Sequence, residues 1–475
     1  MTTRPYLVAG EARTGDDTFQ VASPYDGSVV AEVGVPTDAD TEEVARLAAE
    51  TFEESRRLPV HVRAEALAHV SRRLQERQDE VAEQIAREGG KPLKWSRIEA
   101  ARAVSTFRWA AEEVRRSGGE VLRLDTEEAL GSRLGIVRRF PFGPVLGISP
   151  FNFPVNLVAH KVAPALAVGA PIVVKPATQT PLGALLLGEL VGETELPAGM
   201  ISVLPISGAG AEPLVKDDRF AKVSFTGSTG VGWHLRSLAP KKHFTLELGG
   251  NAGVIVHSDA DLDHAAARVA YGGYYQAGQS CISVQRVLVQ SEVYDDFLDR
   301  YVKQVEGLRT GDPLDPSTDV GPMIDSGALD RISEWVDEAL AGGAEALVGG
   351  KRDDPLYEPT ILANVTSDMK VCREEVFAPV TTVQRYQTFE DAVAEVNSSP
   401  YGLQAGLFTR DIERAMLAHR EIVVGGLIVN DVSAYRADQM PYGGAKESGR
   451  GREGLRYAME EMTEPRIMVL SHIPL

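Results

Sequence analysis

Cysteine is nearly absent. Cys281 and Cys372 are the two in 475 residues, too few for a disulfide framework or a four-cysteine zinc site, so no metal is expected and a reducing cytoplasm fits best. Long apolar runs are missing as well. The opening residues, MTTRPYLVAGEARTGDD, lack the apolar core of an export signal, and the most apolar later stretch, Val145 to Val174, is broken by Pro, Gly, His160 and Lys161. No membrane span or membrane partner is expected from either. Positive charge is in deficit: 49 Lys and Arg against 68 Asp and Glu give a formal net charge of -19. Such a surface repels phosphate backbones and argues against a nucleic-acid partner. An anionic substrate would then depend on a local cluster of Arg or Lys. There is no internal repeat and no low-complexity tract. What remains, 43% hydrophobic and 25% charged residues, is a folded globular composition whose length calls for two large domains and a small appendage.

Residues 38–118 read as helices. Asp40 and Thr41 are candidate caps for DTEEVARLAAETFEESRR, and apolar residues recur at helical spacing through VRAEALAHVSRRLQERQDEVAEQIAREGG, which Gly89, Gly90 and Pro92 stop. From residue 133 onward short apolar runs such as GPVLGISP, APIVVKPA, ISVLPIS, KVSFTG and HFTLELGG alternate with helical stretches. After Gly250 a second series follows, with AGVIVH, CISVQRVLVQ, PTILANV, VFAPVTTVQRY, LQAGLF and GGLIVND. Alternation of this kind is the mark of parallel sheets flanked by helices, so the fold class is α/β with two such domains. The charged stretch Leu122 to Arg139 is expected to pair with the final strand, PRIMVLSHI, as an excursion that mediates assembly.

Several residues stand where chemistry is possible. Cys281, preceded by AGQS and opening an apolar strand, sits at a helix-to-strand junction of the sort that faces a cleft, and a thiolate is a strong nucleophile. A lone cysteine is more often a small buried hydrophobe, so position alone does not decide. Glu247 in LELGGN is a carboxylate between leucines at a strand end, followed by two glycines that admit a ligand. Apolar surroundings raise such a pKa and suit a general base, whereas a solvated strand end would not. Asn152 in SPFNFP can offer a fixed amide to a developing oxyanion, or merely form an Asx turn. FTGSTGVG follows a strand and opens a helix, so its amides and Ser228 can hold a pyrophosphate, although the GxGxxG spacing is incomplete. Lys175 ends APIVVK within reach of a ribose or phosphate, unless it is simply solvated.

Taken in order, SPFNFP, KPATQTP, FTGS, LELGGN, GQSCIS, EEVFAP and PYGGAKESGRGREG resemble the aldehyde dehydrogenase superfamily over nearly the whole chain. The motif wording is most similar to the branch of lactaldehyde, non-phosphorylating glyceraldehyde-3-phosphate and phosphonoacetaldehyde dehydrogenases. The resemblance implies a Rossmann-like NAD(P)-binding domain (residues 1–120 and 139–248), a catalytic domain (249–435) and a β oligomerisation element (121–138 with 455–475). A homodimer or homotetramer is usual there. It implies that Cys281 attacks the aldehyde, that Asn152 and the Cys281 amide form the oxyanion hole, and that hydride leaves to the nicotinamide. Glu247 then activates the water that hydrolyses the thioester, which favours a free acid over transfer to coenzyme A. Lys175 is placed with this catalytic group as well as with the cofactor. By the same resemblance Ile148, Ser149, Phe151, Lys175 and Thr178 meet the cofactor, together with Phe225, Gly227, Ser228, Val231 and Leu248. Glu375 would hold the nicotinamide ribose and Phe377 pack near the ring. Cys372 matches no catalytic position.

Cofactor choice turns on Thr178. Strict NAD users of the family often carry Glu three residues after the Lys, where it repels a 2'-phosphate; with Thr178 there, NADP should be accepted and even preferred. On the substrate side Arg102, Phe153, Ser280, Ile282 and Arg436 are implied contacts, with Arg102 matching the arginine of phosphate-handling members. Those members often have Arg just before the cysteine, where Ser280 stands, so small hydroxy aldehydes such as lactaldehyde remain as plausible as glyceraldehyde-3-phosphate or phosphonoacetaldehyde. Phe151 and Phe153 would also admit aliphatic or aromatic aldehydes. A cysteine hydrolase or thioesterase is the alternative of another class, but none of the nine histidines lies in a motif beside the proposed site.

Overall fold

The computed structural model describes residues 3–471, and the first two and last four residues, with the end of the expected PRIMVLSHI strand, lie outside them. Two sheets carry the molecule. In the first, five parallel strands run in the order Ile201–Val203, Ile172–Lys175, Val145–Ile148, Lys222–Thr226 and His243–Glu247. Antiparallel strands at the margins, Tyr6–Val8 with Glu11–Arg13 at one side and Gly449–Arg450 at the other, make it mixed. The chain winds outward from Val145–Ile148 in one direction and then restarts on its other side with Lys222–Thr226. That reversal opens a crevice beyond the strand ends, beside Ser149 and Gly227, where ligands of doubly wound sheets bind. The helix Asn156–Val168 is buried along its whole length against this sheet, which explains why its sequence is apolar on every side.

The second sheet runs Glu345–Val348, Thr360–Ala363, Val380–Tyr386, Val284–Gln290, Ala252–Val256, Gln404–Phe408 and Gly426–Val429. All its pairs are parallel except the first. A third sheet of three antiparallel strands joins Glu120–Arg123, Arg133–Pro141 and Thr463–Ser471, so the charged stretch does pair with the tail. Of residues 455–475, however, the helix Leu455–Glu461 buries Leu455 and Met459 in the first core instead.

Local chemistry sets the element ends. The first long helix, Asp38–Ser55, is capped by Thr37 and not by Asp40 or Thr41. Thr37 accepts from the Asp40 amide while the Asp40 carboxylate accepts from the Thr37 amide, a reciprocal box that satisfies two amides with no intrahelical acceptor. The expected single helix after Val60 is two, Val60–Glu76 and Gln78–Gly89, broken at Arg77 (φ -107, ψ 18). Gly90 at φ 65 ends the second in the left-handed conformation glycine tolerates. Among the described residues no helix is long and apolar enough to cross a membrane.

Candidate active site

Glu247 closes the last parallel strand of the first sheet, and the next strand, Ala252–Val256, already belongs to the second sheet. The glycines between them sit in close quarters. A Cβ on Gly250 would lie 2.0 Å from the Cys281 carbonyl oxygen, and one on Gly249 would lie 2.6 Å from a Glu375 carboxylate oxygen. Sequence positions 247, 281 and 375 thus converge on one dipeptide.

Cys281 does not open the strand that follows it; that strand begins at Val284. The cysteine lies in a turn preceded by three left-handed residues, Gln276 (φ 53), Ala277 (φ 54) and Gly278 (φ 66). Two of these are not glycine, a conformation that costs roughly 1–3 kcal/mol each and persists only where surroundings impose it. Here the Gln276 amide donates to the Asn152 carbonyl oxygen, and Gly278 presses on the Ala378 carbonyl. Asn152 answers from its own loop: its Nδ2 donates to the Gln279 carbonyl at 2.9 Å, and its Oδ1 is buried without a partner. One of the two amide hydrogens is spent, and the second remains for a ligand.

The Cys281 Sγ lies 3.1 Å from the Tyr442 hydroxyl. Burial pushes the thiol up to about 12, and the Tyr442 hydrogen bond acts against that rise. Glu247 is 1% exposed and neither carboxylate oxygen has a hydrogen bond. Its pKa stands well above the usual carboxylate value, first through burial and then through the charge of Glu453, with Arg436, Lys161 and Arg452 opposing. Burial works the same way on Glu453, but Lys161 at 3.1 Å and Arg436 at 2.9 Å outweigh it and bring Glu453 to about 2. Between these two carboxylates, therefore, Glu453 holds the charge and Glu247 the proton.

A cavity of about 150 Å³ ends at Cys281, its apolar wall including Phe153, Tyr271, Tyr275, Ile282 and Tyr442. A space of that size takes a molecule of about benzene's bulk. Lys91, Arg102, Arg268 and Arg436 also line it, against the single carboxylate of Glu99. Arg102 uses Nε and Nη2 on Asp438 (3.2 and 2.8 Å) and Arg268 uses Nε and Nη2 on Asp431 (2.7 and 3.2 Å), so both are pinned with Nη1 left over. Arg436 is held deeper, paired with Glu453 and stacked over the Tyr442 ring at 3.7 Å. Ser280 lines the cavity while its hydroxyl accepts from Tyr275 at 2.6 Å. Phe151 is not on this wall; it meets Phe377 edge-on at 6.0 Å. His160 is bonded to Asp438 at 3.1 Å, and among the described residues no histidine lines the cavity that ends at Cys281.

The aldehyde dehydrogenase family profile matches residues 11–468. The chain belongs to the aldehyde dehydrogenase family. It is similar to the 3-sulfolactaldehyde dehydrogenase of Priestia megaterium, 45% identical over 465 residues, covering 98% of this chain and 97% of that one. The crystal structure of aldehyde dehydrogenase 21 from Physcomitrella patens, in complex with the reaction product succinate, superposes with a TM-score of 0.97 at 41% identity, over 99% of this chain and 98% of that one. The glyceraldehyde-3-phosphate dehydrogenase GapN of Methanocaldococcus jannaschii, complexed with NADP, gives 0.92 at 36% identity over 96% and 100% of the two chains. This aldehyde dehydrogenase is accordingly an NAD(P)-dependent oxidoreductase of the α/β fold expected.

The crevice of the first sheet fits a dinucleotide. Lys175 is 8% exposed at its strand end, lowered by burial, and has no ion pair among the described residues. Thr178 beside it is exposed, and Ile148, Ser149, Phe225 and Gly227 stand at the neighbouring strand ends. Ser228 occupies the N-cap of the helix Thr229–Leu238 but makes no side-chain cap bond, which leaves that hydroxyl and the helix terminus open to an anion. Val231 is 49% exposed on the same helix, and Leu248 is buried against Gly232. Glu375 accepts the Gly250 amide at 2.9 Å and is raised to about 7, by burial first, with that amide opposing. Cys372 is 3% exposed in the second core, a packing residue.

Arg268, Gln276, Tyr442 and Glu453 were not legible as site residues. Tyr442 and Glu453 do stand inside the PYGGAKESGRGREG motif, and that is the one signal that would have found them. Arg268 lies on an ordinary amphipathic helix, Leu262–Tyr274, where nothing in the spacing separates it from a surface arginine.

Proposed function

We propose that this aldehyde dehydrogenase oxidises a short anionic aldehyde to its acid, with Arg102 and Arg268 receiving the anion. The observation that carries this is the pair of guanidiniums lining one cavity, each fixed by a carboxylate and each with an Nη1 that has no hydrogen-bond partner among the described residues. Carboxylate, sulfonate and phosphonate groups all suit that arrangement. The relatives act on or bind such molecules, 3-sulfolactaldehyde and succinate among them. Phe153, Ile282 and Tyr275 enclose the carbon chain, and Ser280 adds a hydroxyl rather than a further cation.

Cys281 attacks the aldehyde carbon, and the oxyanion so formed accepts from the remaining N–H of Asn152. When bound, NAD(P)+ accepts the hydride that converts this thiohemiacetal to a thioester. Lys175, Ser228 and Glu375 are the residues that would hold the cofactor, and Thr178, carrying no charge, leaves Lys175 free to meet a 2'-phosphate, which favours NADP. Water then attacks the thioester, giving its proton to the ionised form of Glu247, whose oxygens have no hydrogen-bond partner and whose raised pKa makes that form a stronger base than an ordinary carboxylate. The division into residues 1–120 with 139–248, 249–435, and 121–138 with 455–475 is proposed along with this reading, as are self-association through the arm and a cytoplasmic location.

Steady-state kinetics with 3-sulfolactaldehyde and lactaldehyde, which share a skeleton, measured with NAD and NADP, test the substrate class. The sulfonate should give the higher kcat/KM, and Arg268→Ala should raise its KM about tenfold or more while leaving lactaldehyde unchanged. Equal specificity for the two aldehydes, or equal effects of the substitution on both, refutes the anion site. NAD supporting turnover where millimolar NADP does not removes the cofactor assignment.

A further inference from the structure

The phenol of Tyr442 is 3% exposed, and its hydroxyl has the Cys281 Sγ, at 3.1 Å, as its one hydrogen-bond partner among the described residues. Tyr442 is held from three sides. Its backbone pairs with that of Glu453 in both directions, N–H to carbonyl at 3.1 Å and 2.6 Å. The Arg436 guanidinium lies over its ring at 3.7 Å. Gly443, the next residue, packs so closely on Glu247 that a Cβ there would lie 2.8 Å from Oε1. One short motif therefore touches both the sulfur and the carboxylate of the proposed reaction.

We propose that Tyr442 is a further catalytic residue, whose hydroxyl, fixed by Arg436 over its ring face, donates a hydrogen bond to the Cys281 thiolate. The proposal rests on Cys281 being the nucleophile. A hydrogen bond to an anion is roughly twice as strong as one between neutral groups, so this contact stabilises the thiolate more than the thiol and favours ionisation. The sulfur's proton passes to solvent; Tyr442 keeps its own, because burial drives the phenol far above its usual range. The guanidinium over the ring adds positive charge beside the sulfur and draws electron density from the phenol, which strengthens it as a donor.

Other groups facing the sulfur act in both directions. Glu375 and, once ionised, Glu247 oppose the thiolate, and Arg436 favours it. Tyr275 gives its hydroxyl to Ser280 and is not available. The bond serves again at the end of the cycle. As water oxygen bonds to the thioester carbon and its proton goes to Glu247, the carbon–sulfur bond breaks and its electron pair returns to a sulfur that Tyr442 already solvates.

The test is the pH dependence of Cys281 alkylation by iodoacetamide in the full chain, with and without NADP, for wild type and Tyr442→Phe, with Cys281→Ala subtracting any reaction at buried Cys372. The substitution removes one oxygen and leaves the packing intact, and circular dichroism checks that it does. Tyr442→Phe should move the alkylation midpoint up by about one pH unit or more, making the reaction about tenfold slower at pH values below it. It should also lower kcat more than it changes KM. A folded Tyr442→Phe whose alkylation profile overlays the wild type overturns the proposal. Cys281→Ser is made in parallel: undiminished dehydrogenase activity there would refute the nucleophile itself, a different failure from the first.

Discussion

Glu247 is a buried carboxylate with neither oxygen hydrogen-bonded, and that isolation has two measurable consequences. Only the ionised form takes a proton from water, so kcat should rise with pH through an ionisation above the ordinary carboxylate range. Glu247→Gln should release one NAD(P)H per Cys281 in a rapid burst and then turn over about 10²–10⁴-fold more slowly, the usual contribution of a positioned base; a steady state without a burst would show that hydride transfer, not hydrolysis, was lost. The stability sign runs the other way. Because the folded-state pKa is raised, the protonated form stabilises the fold at low pH, and this contribution is lost as pH rises. Glu247→Gln should therefore be no less heat-resistant than wild type at pH 8. At this scale Cys281, Asn152 and Glu247 were legible as candidates, because their motifs are local. Tyr442, 161 residues from the sulfur it touches, lies inside the motif PYGGAKESGRGREG, but the spacing of that motif does not mark which of its side chains meets the sulfur.

Among the elements, the helix Leu93–Arg116 does more than fill the core. Its Glu99 accepts from the amides of Val155 and Asn156 at 3.0 and 3.1 Å, closing the N-terminus of the helix Asn156–Val168, and it pairs with the buried ammonium of Lys91. That helix carries Lys161 and His160 into the charge network below Glu247. Burial brings Lys91 down to about 8, against the pull of Glu99. Glu99→Gln leaves the lysine without its counter-charge, a loss of about 3–5 kcal/mol for a broken buried pair, visible as a lower urea midpoint. Lys91→Met with Glu99→Gln should recover part of it, and an unchanged midpoint in the single substitution would remove this account. Periodicity revealed most of the helices and nearly all the parallel strands, since these are long or buried on both faces. Tyr6–Val8, Glu11–Arg13 and Gly449–Arg450, each of two or three residues, are too short to carry a pattern, and the break at Arg77 replaces no residue that usually ends a helix.

At the scale of the whole molecule, the arm leaves an apolar surface uncovered among the described residues. On the strand Thr463–Ser471, the neighbours Ile467, Met468 and Val469 are 54%, 53% and 47% exposed, and across the arm Val121 is 68% exposed. Consecutive strand residues point to opposite faces, so neither face of the arm is buried by this chain. If the arm serves self-association, light scattering should give a multiple of 51.3 kDa for wild type and the single-chain mass for Met468→Glu; a wild-type monomer would sink the idea. Pairing of the charged stretch with the tail was legible in the sequence. The four cations lining one cavity were not, because Lys91, Arg102, Arg268 and Arg436 come together only when both sheets are in place. The two sheets are first joined in the chain at Gly249 and Gly250, where an added Cβ would strike the Glu375 carboxylate or the Cys281 carbonyl. Every amino-acid replacement supplies that atom. At Gly249 that atom meets the end of a side chain, which can swing aside, but at Gly250 it meets backbone, the carbonyl of the nucleophile's own residue; a substitution there would shift the reacting sulfur itself, so the joint between the sheets and the chemistry of the site share one residue.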